Sequence, residues 1–244
     1  HIAVFLNLFE EHLDYYKTMD KYFLAKTHIG SNQKAGDFLL LGENVPGFAS
    51  PAEKIVIKEA EASRVKLKVP GRHNEVNANF VLKIACDLLG CNREKALESL
   101  EKFEGLDHRL QFVGEKNGIL FYDDSISTIP QATIMAANSI KNVKTILVGG
   151  MDRGIDYSLL VSFIRDRSDI NFIFMYDSGK RIFEEAMRPS NGFYVRDLKE
   201  GVQLSKDITG KGEVCLLSPA APSYGFFKNF EERGTAFKTF AMED

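Results

Sequence analysis

The residues best suited to chemistry sit where apolar runs stop. Gly118–Tyr122 reads as a strand, and Asp123-Asp124-Ser125 follows directly. Adjacent carboxylates at a strand tip repel each other unless they are hydrogen-bonded, solvated, or paired with a cation or a ligand hydroxyl. The strand Thr145–Val148 runs into Gly149-Gly150-Met151-Asp152-Arg153-Gly154, and Val214–Leu217 runs into Ser218–Ser223. Toward the front, Gly71-Arg72-His73-Asn74-Glu75-Val76-Asn77 is a turn feeding a helix start. Free N–H groups and two side-chain amides there could read a polar heterocycle or an anion, or Asn74 could simply cap the helix. Asp107-His108-Arg109 is either a hinge ion pair or a ligand contact. All five histidines lie at or before His108, so imidazole chemistry belongs to the front of the chain and the hinge. His12 stands among Glu10, Glu11 and Asp14, either as a solvated or ion-paired residue or as a ligand for a divalent cation.

Elements that would position these residues follow from periodicity. Ile2–Asn7, Asp37–Leu41 and Lys54–Ile57 read as strands. Between the first two, the spacing predicts a helix of about four turns with Leu13, Tyr16, Phe23 and Leu24 on one face, stopped by Gly30. Phe80, Val81, Ile84, Ala85, Leu88 and Leu89 mark a helix ending at Gly90, and Asn92 caps another that ends near Gly105. Beyond that point strands and helices alternate. A helix follows Pro130, Asp156 caps a second, others cover 180–187 and 198–206, and a last one carries Phe226, Phe227 and Phe230 and stops by Gly234. Such alternation predicts an α/β fold with a mainly parallel sheet, whose ligands sit beyond the C-terminal strand ends. The expected division is 1–105 and 106–244.

Composition narrows the class. The 244 residues carry 31 basic and 34 acidic side chains and are 44% hydrophobic, which excludes a disordered chain or a disulfide scaffold. No basic cluster suggests nucleic acid, and no run approaches the roughly 18–20 apolar residues of a membrane span. Three cysteines without zinc-type spacing fit a reduced, cytoplasmic setting. No phosphate loop of the G-x-x-x-x-G-K-[ST] type and no G-x-G-x-x-G is present. Because a core strand opens at the second residue, a preceding region of the same chain is expected.

The ordered series of motifs resembles the amide-forming Mur ligases of bacterial cell-wall synthesis. It runs from Asn7-Leu8-Phe9-Glu10-Glu11-His12-Leu13-Asp14 and Tyr22–Lys26 through Gly71–Ala78, Gly105–Arg109 and Tyr122–Ser125 to Gly149–Gly154. Leu217-Ser218-Pro219-Ala220-Ala221-Pro222-Ser223 and Phe227-Lys228-Asn229-Phe230-Glu231-Glu232-Arg233-Gly234 close it, and this last block favours the D-glutamate-adding branch. The resemblance implies an ATP-dependent ligase with Mg²⁺ that activates a carboxylate as an acyl phosphate for attack by an amine, joining UDP-MurNAc-L-alanine to D-glutamate. It implies that 1–105 is the rear of a central ATP-binding domain and 106–244 a complete Rossmann-like, amino-acid-binding domain. By the same match His12 would ligate the metal, and Lys26, carried as a carbamate, would join it as a catalytic group. Asn74 and Asn77 would face the adenine, and Arg109 and Asp124 the ribose and phosphates. Arg153, Ser223 and Phe230 would receive D-glutamate, with Ser125 and Thr128 in the adjoining turn. Ile126 stands where relatives often carry lysine. The family's UDP-binding domain and phosphate loop would precede His1, so the fragment alone is expected to be inactive. Alternatives are another Mur or folylpolyglutamate-type ligase, or a non-catalytic module binding a nucleotide or amino acid.

Overall fold

A computed structural model describes residues 1–243 apart from the side chain of Asp14; that side chain and Asp244, both within the stretches read above, lie outside the described residues. The chain divides into two compact units, His1–Glu104 and Gly105–Asp244.

In the first unit, β1 (Ile2–Phe5), β2 (Phe38–Gly42) and β3 (Glu53–Ile57) form a parallel sheet in that order. Ala3, Phe5, Leu39 and Leu41 point to one face and pack with Val45, Ala52, Phe23 and Phe48. The single helix expected after β1 is instead two. A short α1 (Leu13–Tyr16) ends at Lys17, whose φ of 68° breaks the path. α2 (Met19–Ser31) then restarts with the Thr18 side chain accepting from Lys21 N–H at 3.3 Å. Leu24, expected on the apolar face, is exposed. Gly30 lies inside the last turn of α2, where an added Cβ would stand 3.0 Å from Leu39. Its role is therefore close helix–sheet packing, not termination.

Further along, α3 (Arg72–Leu82) passes into a wider π-type turn over Lys83–Leu88 before Gly90, and Asn92 caps α4 (Arg93–Lys102) by accepting from Lys95 N–H at 3.0 Å. Ala78 and Leu82 pack with Val65, Leu97 and Leu100 in a second small core.

The second unit has a six-stranded sheet. Its strands are β4 (Gln111–Lys116), β5 (Ile119–Asp123), β6 (Val143–Val148), β7 (Asn171–Met175), β8 (Gly192–Val195) and β9 (Val214–Leu217). The order is β4-β5-β9-β6-β7-β8, with only β4 antiparallel to its neighbour. Hydrophobicity does not announce β4, because Gln-Phe-Val-Gly-Glu-Lys is an edge strand with mostly polar content. The helices are α5 (Pro130–Ser139), α6 (Ser158–Asp166), α7 (Tyr176–Glu185), α8 (Leu198–Ile208) and α9 (Phe230–Met242).

Strand alternation distributes them over the sheet's two faces. Ile146, Val148, Phe172, Phe174 and Leu216 pack with Ala136 and Ala137 of α5, Leu160 and Ile164 of α6, and Ile182 of α7. Their neighbours Leu147, Ile173, Cys215 and Leu217 face the other way, onto Leu198 and Val202 of α8 and Phe237 and Ala241 of α9. Two expectations are corrected here. Asp156 precedes α6 by two residues and accepts from Ser158 N–H at 2.8 Å, while Tyr157 holds the cap position. The last helix starts at Phe230, where earlier aromatic residues had suggested it already running. Asn229 caps it by accepting from Glu232 N–H at 2.9 Å, and Gly234 lies within it.

Candidate functional site

β5, β9 and β6 are neighbours at the centre of the second sheet, so their C-terminal tips bring 123–128, 218–223 and 149–154 together. Backbone bonds lock the tips: Gly149 N–H donates to Pro219 O at 2.8 Å and Met151 N–H to Pro222 O at 2.9 Å. Gly149 has φ 121°, and a Cβ there would sit 1.9 Å from Met175 O, so only glycine lets the loop turn so close to β7.

The two carboxylates at the tip of β5 are fully engaged within the protein. Asp124 is buried; its Oδ1 accepts from Leu110 N–H at 3.2 Å and its Oδ2 from Ser218 Oγ–H at 2.8 Å. Burial pushes its carboxyl up to about 6, against the opposing pull of bonds from Ser127, Ser218 and Leu110 and of the Arg109 charge. Arg109 itself is exposed. Asp123 accepts from Ser125 N–H at 2.9 Å through Oδ1, and its Oδ2 lies 2.7 Å from His108 Nδ1 and 3.7 Å from Lys238 Nζ. An added Cβ at Gly234 would stand 2.1 Å from His108 Nδ1 and 2.6 Å from Asp123 Oδ2, which explains a glycine inside a helix.

This buried His–Asp contact was not evident from the sequence. It ties together the residues immediately before Arg109 and Asp124, and Ile126 N–H donates to His108 O at 3.2 Å in the same staple. Spacing alone gives no signal for it, but a glycine in the first turns of an otherwise continuous helical pattern hints at a close approach.

Arg233 is the second group the sequence did not single out. It is completely buried and donates from Nε to Ser125 Oγ at 3.0 Å, from Nη2 to Ser125 O at 2.7 Å and from Nη1 to Ala221 O at 3.0 Å. Burial lowers its pKa to about 10. Ser125 Oγ–H in turn donates to Phe230 O at 2.8 Å, and the Phe230 ring meets His108 edge-on at 6.0 Å. Arg153 Nη2 donates to Thr128 O at 3.1 Å. Ser223 is buried at the start of a turn, its carbonyl accepting from Phe227 N–H at 3.0 Å. Ser125, Thr128, Arg153, Ser223, Phe230 and Asp124 therefore share one crown of loops.

In the first unit, Tyr22 joins two expected residues. His12, at φ 58°, meets its ring edge-on at 5.7 Å, and Lys26 Nζ lies 5.2 Å from its centroid. His12 Nε2 is 3.8 Å from Glu11 Oε2, and its side chain is half exposed. By themselves these side chains do not complete a Mg²⁺ site. Mg²⁺ takes an octahedron of oxygens, and among the described residues no three His, Cys, Asp or Glu side chains group to hold a metal. Asn74 and Asn77 lie one turn apart near the start of α3. Asn74 does not cap the helix, for its Nδ2 donates back to Pro70 O at 2.7 Å. Arg72 fastens this end of α3 through Glu75 at 2.7 Å and the carbonyls of Glu59 and Ala62 at 2.6 Å each.

Residues 1–55 match the Mur ligase middle domain. Structures similar to the chain include a MurF from Acinetobacter baumannii (TM-score 0.72, 16% identity, 98% of this chain and 59% of that one) and a MurC from Thermotoga maritima (0.66, 21%, 97% and 58%). These show a shared fold. Residues 1–55 are thus similar to the Mur ligase middle domain, and the chain as a whole shares the fold of these structures.

Among curated relatives, it is similar to UDP-N-acetylmuramoylalanine--D-glutamate ligases. That of Geotalea uraniireducens is 30% identical over 98% of this chain and 58% of its own length, and that of Caldanaerobacter subterraneus 31% over 99% and 60%. The chain spans less than two thirds of the length of these relatives. No helix among the described residues is long and apolar enough to cross a membrane.

Proposed function

We propose that this chain is part of an ATP-dependent ligase that joins D-glutamate to UDP-MurNAc-L-alanine, with residues 105–244 receiving the amino acid and residues 1–104 contributing to the nucleotide site. The observation that carries the reading is the gathering of Arg153, Thr128, Ser125 and Ser223 in the loops after three adjoining strands, with Phe230 at the start of α9 bonded to Ser125. A free carboxylate is a poor electrophile; phosphorylation gives it a leaving group, and the incoming amine then attacks the acyl carbon and expels phosphate. The protein's part is to hold anionic reactants close and offset their charge. In this reading Arg153 pairs with a side-chain carboxylate of D-glutamate, and Ser223 bonds a second polar group of it.

On the nucleotide side, Asn74 and Asn77 read the adenine. Arg109 and Asp124 are assigned to the ribose and phosphates in the same reading, Asp124 through a carboxylate that also accepts from Leu110 N–H and Ser218 Oγ–H. Mg²⁺ accompanies ATP in this proposal, and the side chains around Tyr22 contribute His12 as its single nitrogen donor, with Lys26 joining only as a carbamate. Cytoplasmic localisation is part of the same reading.

Titration of the chain with D-glutamate, L-glutamate, L-alanine and meso-diaminopimelate, read by amide chemical shifts, tests the assignment. Shifts in 150–154 and 220–230 with D-glutamate alone are expected. In the full-length protein, Arg153→Ala and Ser223→Ala are expected to raise KM for D-glutamate, and an unchanged KM in both would refute the assignment.

A further inference from the structure

The loop between β6 and α6 carries Arg153, and a second arginine grips that loop from α7. Arg181 Nη1 donates to Asp152 Oδ1 at 3.1 Å, and its Nη2 donates to the carbonyl of Ile155. The same guanidinium lies over the Tyr157 ring, 4.6 Å from its centroid, while Glu185 stands 3.3 Å from Nε. Asp152 Oδ1 also accepts from Gly154 N–H at 2.8 Å, closing a tight turn with Arg153 at its middle. Arg181 therefore holds the residue before Arg153 and the second residue after it.

Helix α7 adds a backbone tie, Ser178 N–H to Gly150 O at 3.1 Å, and a side-chain one, Gly150 N–H to Ser178 Oγ at 2.9 Å. On the opposite side the bond from Met151 N–H to Pro222 O links this loop to the segment leading into Ser223.

We propose that Arg181 is a positioning residue: it fixes the turn that presents Arg153, and so sets how well the crown receives an acidic amino acid. The second half of this statement rests on the proposed D-glutamate reading. A planar guanidinium is the group suited to the task, because it bonds a carboxylate and a carbonyl in its plane while stacking on an aromatic ring with its face. A lysine supplies the charge without the fork.

The test uses the whole chain and two readouts. In Arg181→Met, hydrogen exchange of the amides at 151–155 is expected to speed up by about tenfold, with the amides of β7 and the unfolding midpoint unchanged. Arg181→Lys is expected to resemble the methionine variant. Affinity for D-glutamate is expected to fall by about tenfold in both variants. Unchanged exchange at 151–155 would overturn the clamp. Faster exchange with D-glutamate affinity intact would overturn its positioning role. Faster exchange in a protein whose unaltered form takes up no D-glutamate supports the clamp and counts against the D-glutamate reading instead. If Arg181→Met loses its native circular dichroism, Asp152→Asn, which weakens the ion pair and keeps the turn's acceptor oxygen, carries the same comparison.

Discussion

Replacing Gly234 with alanine offers a sharp test of the staple beneath the β5 tip. In an ordinary helix interior the change is favourable by about 1 kcal/mol, since alanine is the better helix former. Here the new methyl would sit 2.1 Å from His108 Nδ1 and 2.6 Å from Asp123 Oδ2, inside a contact only 2.7 Å long between two buried groups. Neither partner can retreat: Asp123 is anchored through Ser125 N–H, and the His108 backbone is held by Ile126 N–H and Gln111. Breaking a buried pair costs about 3–5 kcal/mol, so the net loss is about 2–4 kcal/mol. Hydrogen exchange of the slowest amides of β5 and β7 reports the opening of this unit, and should accelerate by roughly thirtyfold to nearly a thousandfold. In a His108→Ala background, where the nearer obstacle is gone, the same substitution should cost less than half as much. A neutral or stabilising Gly234→Ala would refute the argument.

Other consequences follow from the same geometry. The folded carboxyl of Asp124, at about 6 against 3.8 when exposed, binds its proton more tightly than the unfolded one. This group's contribution to stability therefore falls as pH rises from about 4 through 6, by on the order of 3 kcal/mol, and Asp124→Asn should flatten that part of a stability–pH profile. Cys215 is fully buried with its thiol pushed up to about 12, whereas Cys91 is exposed; a thiol reagent should label Cys91 first and Cys215 only on unfolding. Arg233→Met should loosen 125–128 and 219–223 together, seen as matched changes in their amide shifts, because one guanidinium holds Ser125 and Ala221.

Much of the second unit was legible in the sequence because its strands are short apolar runs and its helices alternate with them at regular intervals. The crown residues were legible for the same reason, as the places where such runs stop. What escaped was tertiary. Lys17 adopts a left-handed conformation that splits a helix whose apolar spacing looks continuous. β4 is an edge strand and lacks the apolar run of a buried one. Gly234 looked like a helix stop, yet it is there because His108 and Asp123 approach the helix from elements more than a hundred residues earlier. The holding roles of Arg233 and Arg181 are equally invisible to spacing, since each joins segments that only the sheet order brings together.

That order also has a consequence for synthesis. β9, made after the other five strands of its sheet, is inserted between β5 and β6, which the ribosome delivers much earlier. The emerging polypeptide must keep a gap in its half-built sheet, with two apolar strand edges waiting, until residues 214–217 leave the exit tunnel. The crown of loops accordingly comes into being late and nearly all at once, and a nascent chain stalled before that point is left open to mispairing.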